Sequence, residues 1–257
     1  MRLRDKIAIV TGASKGIGRA IALGFAREGA HLVLAARTKH LLEEVAERIR
    51  AMGRRALPVV TDVSDEASVE NMVRRAVEAF GRIDILVNNA GAAMIKPVWA
   101  TSLKTWEWLM GVNLRGPFLC TKHVWRIMQQ QGGGAIVNIG STFGSRAAPW
   151  FAAYSASKWG LVGLTKATAQ EGRLDNIRIN IINPGKVRTA QRANIKDEGP
   201  ILEAEDIVGA AIFLASDEAM PIHGQVIEME HPLDGAIPRR QRQRTASDNG
   251  DEDRAAR

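Results

Sequence analysis

Short apolar runs alternate with longer stretches of helical period through most of the chain. The runs that read as strands fall at 7–10, 31–35, 56–60, 83–88, 135–139, 177–182 and 225–228. Helical stretches lie between them, near 17–28, 40–52, 66–80, 104–130, 150–170 and 204–215. Seven strands separated by helices predict an α/β fold, a parallel seven-stranded sheet with helices on both faces. Helix 150–170 stands apart, because its charged residues are Lys158 and Lys166 alone while Trp159, Leu161, Val162 and Leu164 cover several faces. A helix apolar nearly all round is buried on both sides. One side meets the sheet, and a second copy of the chain is expected on the other, so a homo-oligomer, a dimer or a homotetramer, is predicted. No repeat or linker divides the chain, which reads as a single domain over 1–237 and a charged tail over 238–257.

Composition narrows the class. A chain of 257 residues with 46% hydrophobic and 25% charged residues has ample material for one large core. The net charge of +7 suits nucleic acid or small anions equally. The tail holds Arg239, Arg240, Arg242 and Arg244 in front and Asp248, Asp251, Glu252 and Asp253 behind, with few apolar side chains, so it is expected to be disordered and to neutralise itself in part. No nucleic-acid partner is predicted. The lone Cys120 excludes an internal disulfide, and no Cys or His cluster has metal-ligand spacing, so no metal is expected. The first residues lack the apolar stretch of a signal peptide, and no apolar run is long enough for a bilayer. A cytoplasmic protein without a membrane partner is the expectation.

The first strand runs into Thr11-Gly12-Ala13-Ser14-Lys15-Gly16-Ile17-Gly18 and then a helix. Glycines permit a tight turn and a close approach of a pyrophosphate to the amides, and a helix N-terminus offers unpaired N–H groups. Strand, glycine loop and helix in that order predict a dinucleotide site in a Rossmann-type, doubly wound sheet. The end of the second strand bears on the cofactor. Sites for NAD place an acid there, to accept from the ribose 2′-hydroxyl. Here the strand ends Ala35-Ala36-Arg37-Thr38-Lys39, with no acid between Glu28 and Glu43. Arg37, and Lys15 from the glycine loop, suit a 2′-phosphate, so NADP is preferred over NAD.

The one tyrosine of the chain, Tyr154, precedes Lys158 by four residues in Tyr154-Ser155-Ala156-Ser157-Lys158. That is about one helical turn, so both side chains share a face. A phenol exchanges protons poorly at neutral pH, and a fixed ammonium beside it favours the phenolate.

Together these motifs resemble the short-chain dehydrogenase/reductase family over roughly residues 5–230. Besides the glycine loop, Asp62-Val63 resembles the pair beside the adenine ring, and Asn88-Asn89-Ala90-Gly91 resembles the NNAG segment after the fourth strand. Asn113 matches the structural and proton-relay asparagine. Ser141, thirteen residues before Tyr154, matches the catalytic serine. Pro184-Gly185-Lys186-Val187-Arg188-Thr189 resembles the segment that holds the nicotinamide carboxamide. The resemblance implies an NADP(H)-dependent oxidoreductase acting on a small ketone or secondary alcohol. In it Tyr154 is the general acid and base, Ser141 orients the carbonyl oxygen, Lys158 holds the ribose and favours the phenolate, and Asn113 anchors a relay water. A 3-oxoacyl-thioester reductase stands open within this reading, and a dinucleotide-binding protein with little or no turnover stands beside it.

Two stretches depart from the family. Between Thr189 and the helix near Ala204 the chain is short where relatives carry a longer lid, which predicts a more open pocket. The segment Met229-Glu230-His231-Pro232-Leu233-Asp234-Gly235 matches the usual Asp-Gly-Gly finish only loosely. Residues 92–99 and 143–151 are expected to wall the substrate. Met94, Trp99, Phe143, Trp150 and Phe151 there suit an apolar or ring-containing molecule or simple packing, and Arg146 suits an anionic group or solvent.

Overall fold

Period-two alternation within each apolar run decides which helix each residue meets. In the computed structural model, which describes residues 1–189 and 199–232, seven strands form one sheet among the described residues. They are β1 (Ile7–Thr11), β2 (His31–Ala36), β3 (Ala56–Val60), β4 (Ile85–Asn88), β5 (Gly134–Ile139), β6 (Ile177–Pro184) and β7 (Val226–Met229). The order is β3-β2-β1-β4-β5-β6-β7, and every pairing is parallel. Ala8, Val10, Leu32, Leu34, Ile85 and Val87 face one layer, containing α1 (Gly16–Arg27), α2 (Lys39–Ala51) and α7 (Val208–Ala215). Ile9, Val33, Leu86, Ile136 and Ile179 face the other, containing α3 (Glu66–Phe80), α5 (Gly116–Gln130) and α6 (Ala152–Gly172). Burial on both faces is why the runs are almost purely aliphatic.

Local chemistry sets the ends of the elements. Asp65 caps α3 by accepting from Ala67 N, and Gly81 closes that helix at φ +77°. The Arg178 guanidinium on β6 donates to the carbonyls of Leu214, Ser216 and Ala219 at 2.8, 3.0 and 3.3 Å, which ties the end of α7 to the sheet. A buried polar line crosses from sheet to helix. Asn88 Nδ2 donates to Asn138 Oδ1 at 2.9 Å, and Asn138 Nδ2 to Thr165 Oγ1 on α6 at 2.8 Å. All three residues are buried, so breaking a bond of the line is costly, and the line fixes where α6 sits against β4 and β5.

Three elements differ from the sequence expectation. The stretch 104–130 is not one regular helix: α4 (Leu103–Met110) leads into a wider π turn, Gly111–Arg115, before α5. Gly116 abuts Val63 so closely that a Cβ would stand 2.8 Å from Val63 Cγ2, and Pro117 supplies no N–H, so the regular ladder breaks there. Helix α6 begins at Ala152, because Trp150 adopts φ +70°, outside the helical region. Strand β4 begins at Ile85 rather than 83, where the Asp84 carboxylate accepts from Ile7 N at 2.8 Å and so occupies the edge. The lid residues 190–198, the finish at Asp234-Gly235 and the tail 238–257 lie outside the described residues.

Candidate active site

Strand order reverses direction between β1 and β4, and a crevice opens at their C-terminal ends. Thr11, the last residue of β1, knits the two ends together. Its hydroxyl donates to Val87 O at 3.2 Å and accepts from the amides of Asn89 and Ala90, both at 3.0 Å. Asn89 Nδ2 donates back to Thr11 O at 2.9 Å. The glycine loop folds over this knot with no room for side chains. A Cβ on Gly12 (φ +67°) would stand 2.7 Å from Asn89 Nδ2, and one on Gly18 would stand 2.4 Å from Gly12 O. Gly16 faces Thr189, whose Cγ2 lies 3.3 Å from an added Cβ. The glycines of the loop thus lie against Asn89, Ala90 and Thr189, with Ser14, Lys15 and Ile17 between them along the chain. Lys15 is the N-cap of α1, no side chain caps that helix, and its first turn holds no acid. Free backbone donors, positive dipole and exposed ammonium together form a cradle that fits a pyrophosphate.

Beside this cradle, Arg37 and Thr38 leave the end of β2. The Asp62 carboxyl is held below its usual range chiefly by the Ser64 hydroxyl, at 2.6 Å, then by the Ser64 amide and by the charge of Arg37. Arg37 thus lies within electrostatic reach of Asp62, and the next residue, Val63, is buried. Across the crevice, Gly185 N donates to Met229 O at 2.8 Å, which hangs the Pro184–Thr189 segment from β7, and Val187 pairs with Leu202.

The π turn carries Asn113 inward. Its amide accepts from Ala92 N and donates to Ala92 O, both at 2.8 Å, and also donates to Ser157 Oγ at 3.0 Å. Ser157 in turn donates to Tyr154 O at 2.7 Å. Lys158 is buried, its Nζ donates to Ile139 O at 3.1 Å, and burial pushes its ammonium down from 10.5 to about 8. Nζ lies 5.9 Å from the centre of the Tyr154 ring. A Cβ on Gly91 would stand 3.5 Å from Asn113 Oδ1 and 3.7 Å from Nζ, so Gly91, Asn113 and Lys158 meet at one point. Ser141 lies two residues beyond β5, and its hydroxyl accepts from Phe143 N. The Phe143 ring stacks on Phe151 at 4.4 Å, and both stand edge-on to Tyr154, at 5.8 and 6.2 Å.

Around the mouth, Trp99 is 87% and Trp150 63% exposed, whereas Met94 is half-buried. The two wall segments are joined by Lys96 N donating to Trp150 O at 2.8 Å. Arg146 is exposed to solvent, and its guanidinium also pairs with Glu230 at 2.6 Å. Thr11, Ser157 and Asn183 escaped sequence reasoning. Each is a small polar residue inside an apolar or helical stretch, and its partners are fixed by tertiary contact alone.

Comparisons with known proteins agree with this geometry. A family model described as short chain dehydrogenase matches residues 6–199. A 3-oxoacyl-[acyl-carrier-protein] reductase of Thermotoga maritima is 34% identical over 244 residues, spanning 91% of this chain and 99% of its own length. The crystal structure of a short-chain type dehydrogenase/reductase from Mycobacterium marinum superposes with a TM-score of 0.85 at 32% identity, covering 89% of this chain and 95% of that one. A structure from Beutenbergia cavernae, provisionally assigned as an NAD(P)-dependent gluconate 5-dehydrogenase and holding NADP at low occupancy, gives a TM-score of 0.83 at 38% identity over 88% of this chain and 95% of that one.

Proposed function

The chain belongs to the short-chain dehydrogenase/reductase family and is an NAD(P)-dependent oxidoreductase, and from that premise we propose that it uses NADP(H) to interconvert a ketone and a secondary alcohol. The observation that carries this reading is the meeting of Tyr154, Lys158 and Asn113 beside the Ser141 loop, at the open end of the crevice. A bound nicotinamide cofactor supplies the hydride for the carbonyl carbon. The chain's own residues manage the oxygen. Ser141 donates a hydrogen bond to it, and Tyr154 gives it a proton in reduction or removes one in oxidation. The Lys158 ammonium favours the phenolate and would hold the ribose hydroxyls of a bound cofactor. Asn113, clamped by Ala92 and Ser157, orients the solvent side of Lys158 for proton return. Turnover of NADPH against a ketone panel tests the reading, and NADPH binding without turnover of any member would leave a binding protein instead. Acetoacetyl-coenzyme A heads the panel, because two relatives are named 3-oxoacyl-[acyl-carrier-protein] reductase.

Arg37 and Lys15 are assigned to the 2′-phosphate. An Arg37→Asp variant loses a charge-assisted contact and gains a repulsion, so the ratio of kcat/KM for NADPH over NADH is expected to fall about a hundredfold. An unchanged ratio would remove the preference for NADP.

A second copy of the chain is assigned to the outer face of α4, α5 and α6. Trp106, Trp108 and Phe118 are exposed there at 40, 39 and 47%, beside an open groove of about 930 Å³. Trp159, 52% exposed, leaves the outward face of α6 uncovered by its own chain. A dimer or homotetramer is expected in light scattering, and Phe118→Glu with Trp106→Glu is expected to yield monomers. A native monomer would overturn the assignment. Cys120 is fully buried, and that burial pushes its thiol up to about 12. Among the described residues no helix is long and apolar enough to cross a membrane.

A further inference from the structure

The last strand ties down the loop that follows Ser141. Strand β7 pairs with β6 so that Asn183 stands opposite Glu228. Glu228 and Glu230, two residues apart, point to the same side of the extended chain. Glu228 Oε1 accepts from Asn183 Nδ2 at 3.0 Å and from Ser145 Oγ at 2.8 Å. Glu230 Oε2 accepts from Arg146 at 2.6 Å, and Glu230 also packs beside Gly185, where an added Cβ would stand 3.3 Å from its Cγ. Two consecutive loop residues, Ser145 and Arg146, are thus held by two carboxylates, one on β7 and one just beyond its end.

The amide of Asn183 links this clasp to the serine. Asn183 is fully buried, and its Oδ1 accepts from Ser141 N at 3.2 Å. A primary amide has one donor end and one acceptor end, whereas a carboxylate only accepts. Glu228 therefore decides the orientation: Nδ2 turns to the carboxylate, which leaves Oδ1 for the Ser141 amide. The contact is tight, because a Cβ on Gly140 would stand 2.0 Å from Asn183 Oδ1. The sequence 140–145 is gripped at its start by Asn183 and at its end by Ser145, and both grips converge on one oxygen of Glu228. Bonds to a charged acceptor are the stronger kind, and the burial of Asn183 makes the loss of one costly.

We propose that Glu228 is a positioning residue of the reaction, fixing the Ser141 hydroxyl through Asn183 and Ser145. This rests on the reading of Ser141 as the donor to the carbonyl oxygen. Glu228 acts through its two partners, so its removal misplaces a donor without removing one. A misplaced donor weakens only the interaction that grows in the transition state.

The test uses the full chain and the variants Glu228→Ala, Glu228→Gln, Ser141→Ala and the double variant Ser141→Ala/Glu228→Ala. Hydrogen exchange, which needs no substrate, should be faster across 140–146 in Glu228→Ala and restored in Glu228→Gln, whose amide oxygen accepts the same two bonds. With acetoacetyl-coenzyme A as the carbonyl probe, Glu228→Ala should lower kcat about tenfold and leave the KM for NADPH within about twofold. Glu228→Gln should recover kcat, and on the Ser141→Ala background Glu228→Ala should cost nothing further. Unchanged exchange in Glu228→Ala, or a full additional loss on the Ser141→Ala background, would overturn the proposal. An undiminished kcat in Ser141→Ala would overturn the reading of Ser141 and the proposal with it. A normal loss in Ser141→Ala with no effect of Glu228→Ala would overturn the proposal alone.

Discussion

Replacing Tyr154 by Phe is expected to lower kcat for ketone reduction by about three orders of magnitude or more, with NADPH affinity within about twofold of the parent. The substitution keeps the ring. Phe143 and Phe151 hold that ring edge-on at 5.8 and 6.2 Å, and a phenyl group fills the same space. Only the hydroxyl is lost. Without it the oxygen that gains charge in the transition state retains the Ser141 bond but has no proton donor. Melting temperature should be unchanged, which separates a chemical loss from a folding loss. Cofactor fluorescence and steady-state turnover measure the two halves of the claim. Activity within tenfold of the parent would show that another group gives the proton.

How much of this was legible beforehand follows from the range of the interactions. The apolar runs were readable because burial on both faces leaves little else that a strand can contain, and Tyr154 with Lys158 was readable because one helical turn is a local distance. The glycine loop was legible for the same reason, as Gly12 and Gly18 meet within a few residues. What stayed hidden depends on register between distant segments. The pairing of the exposed Arg146 with Glu230 was hidden because the two lie 84 positions apart. Asn183 reads as one more residue of a strand until β7 is laid beside it and Glu228 takes its amide. The π turn was invisible because no residue within Gly111–Arg115 is a strong helix breaker, and the interruption goes with Pro117 just beyond it, which has no N–H to give to the preceding turn. That widening has a use: it delivers the Asn113 amide to Ala92 and Ser157, so a break in helical regularity places a group of the site.

These particulars share a cause. The crevice is built from strand ends, and each strand end delivers one polar group: Thr11 from β1, Asn89 just beyond β4, Ser141 beyond β5 and Asn183 from β6. Sheet register holds those groups in fixed relation, and the Asn88–Asn138–Thr165 line sets α6 against the same strands. Tyr154 and Lys158, both on α6, therefore inherit their placement from the sheet rather than from the loops. A helix shift of a fraction of an ångström would separate Lys158 Nζ from Ile139 O, now 3.1 Å away.

Lys158 brings activity and stability into opposition, and a Lys158→Met variant should expose this. Burial lowers the ammonium pKa from 10.5 to about 8 in the folded chain. Between those values the unfolded chain binds more protons, so stability from this group rises with pH, and below about 8 folding bears the full cost of a buried charge. That cost is on the order of 3 kcal/mol, and Met, which fills similar space without charge, removes it. Urea unfolding should find Lys158→Met more stable than the parent at pH 7, by up to this amount, with the difference shrinking toward pH 10. Activity should move the other way. At pH 7 the parent's ammonium is charged and assists Tyr154, so the variant should lose at least a hundredfold in kcat. Above about pH 8 the free parent loses that charge itself, and the gap in kcat/KM, which reports groups of the free enzyme, should narrow. A variant both less stable and less active at pH 7 would show that Lys158 is held by favourable contacts that outweigh its desolvation, and the assignment of a strained buried charge would fail.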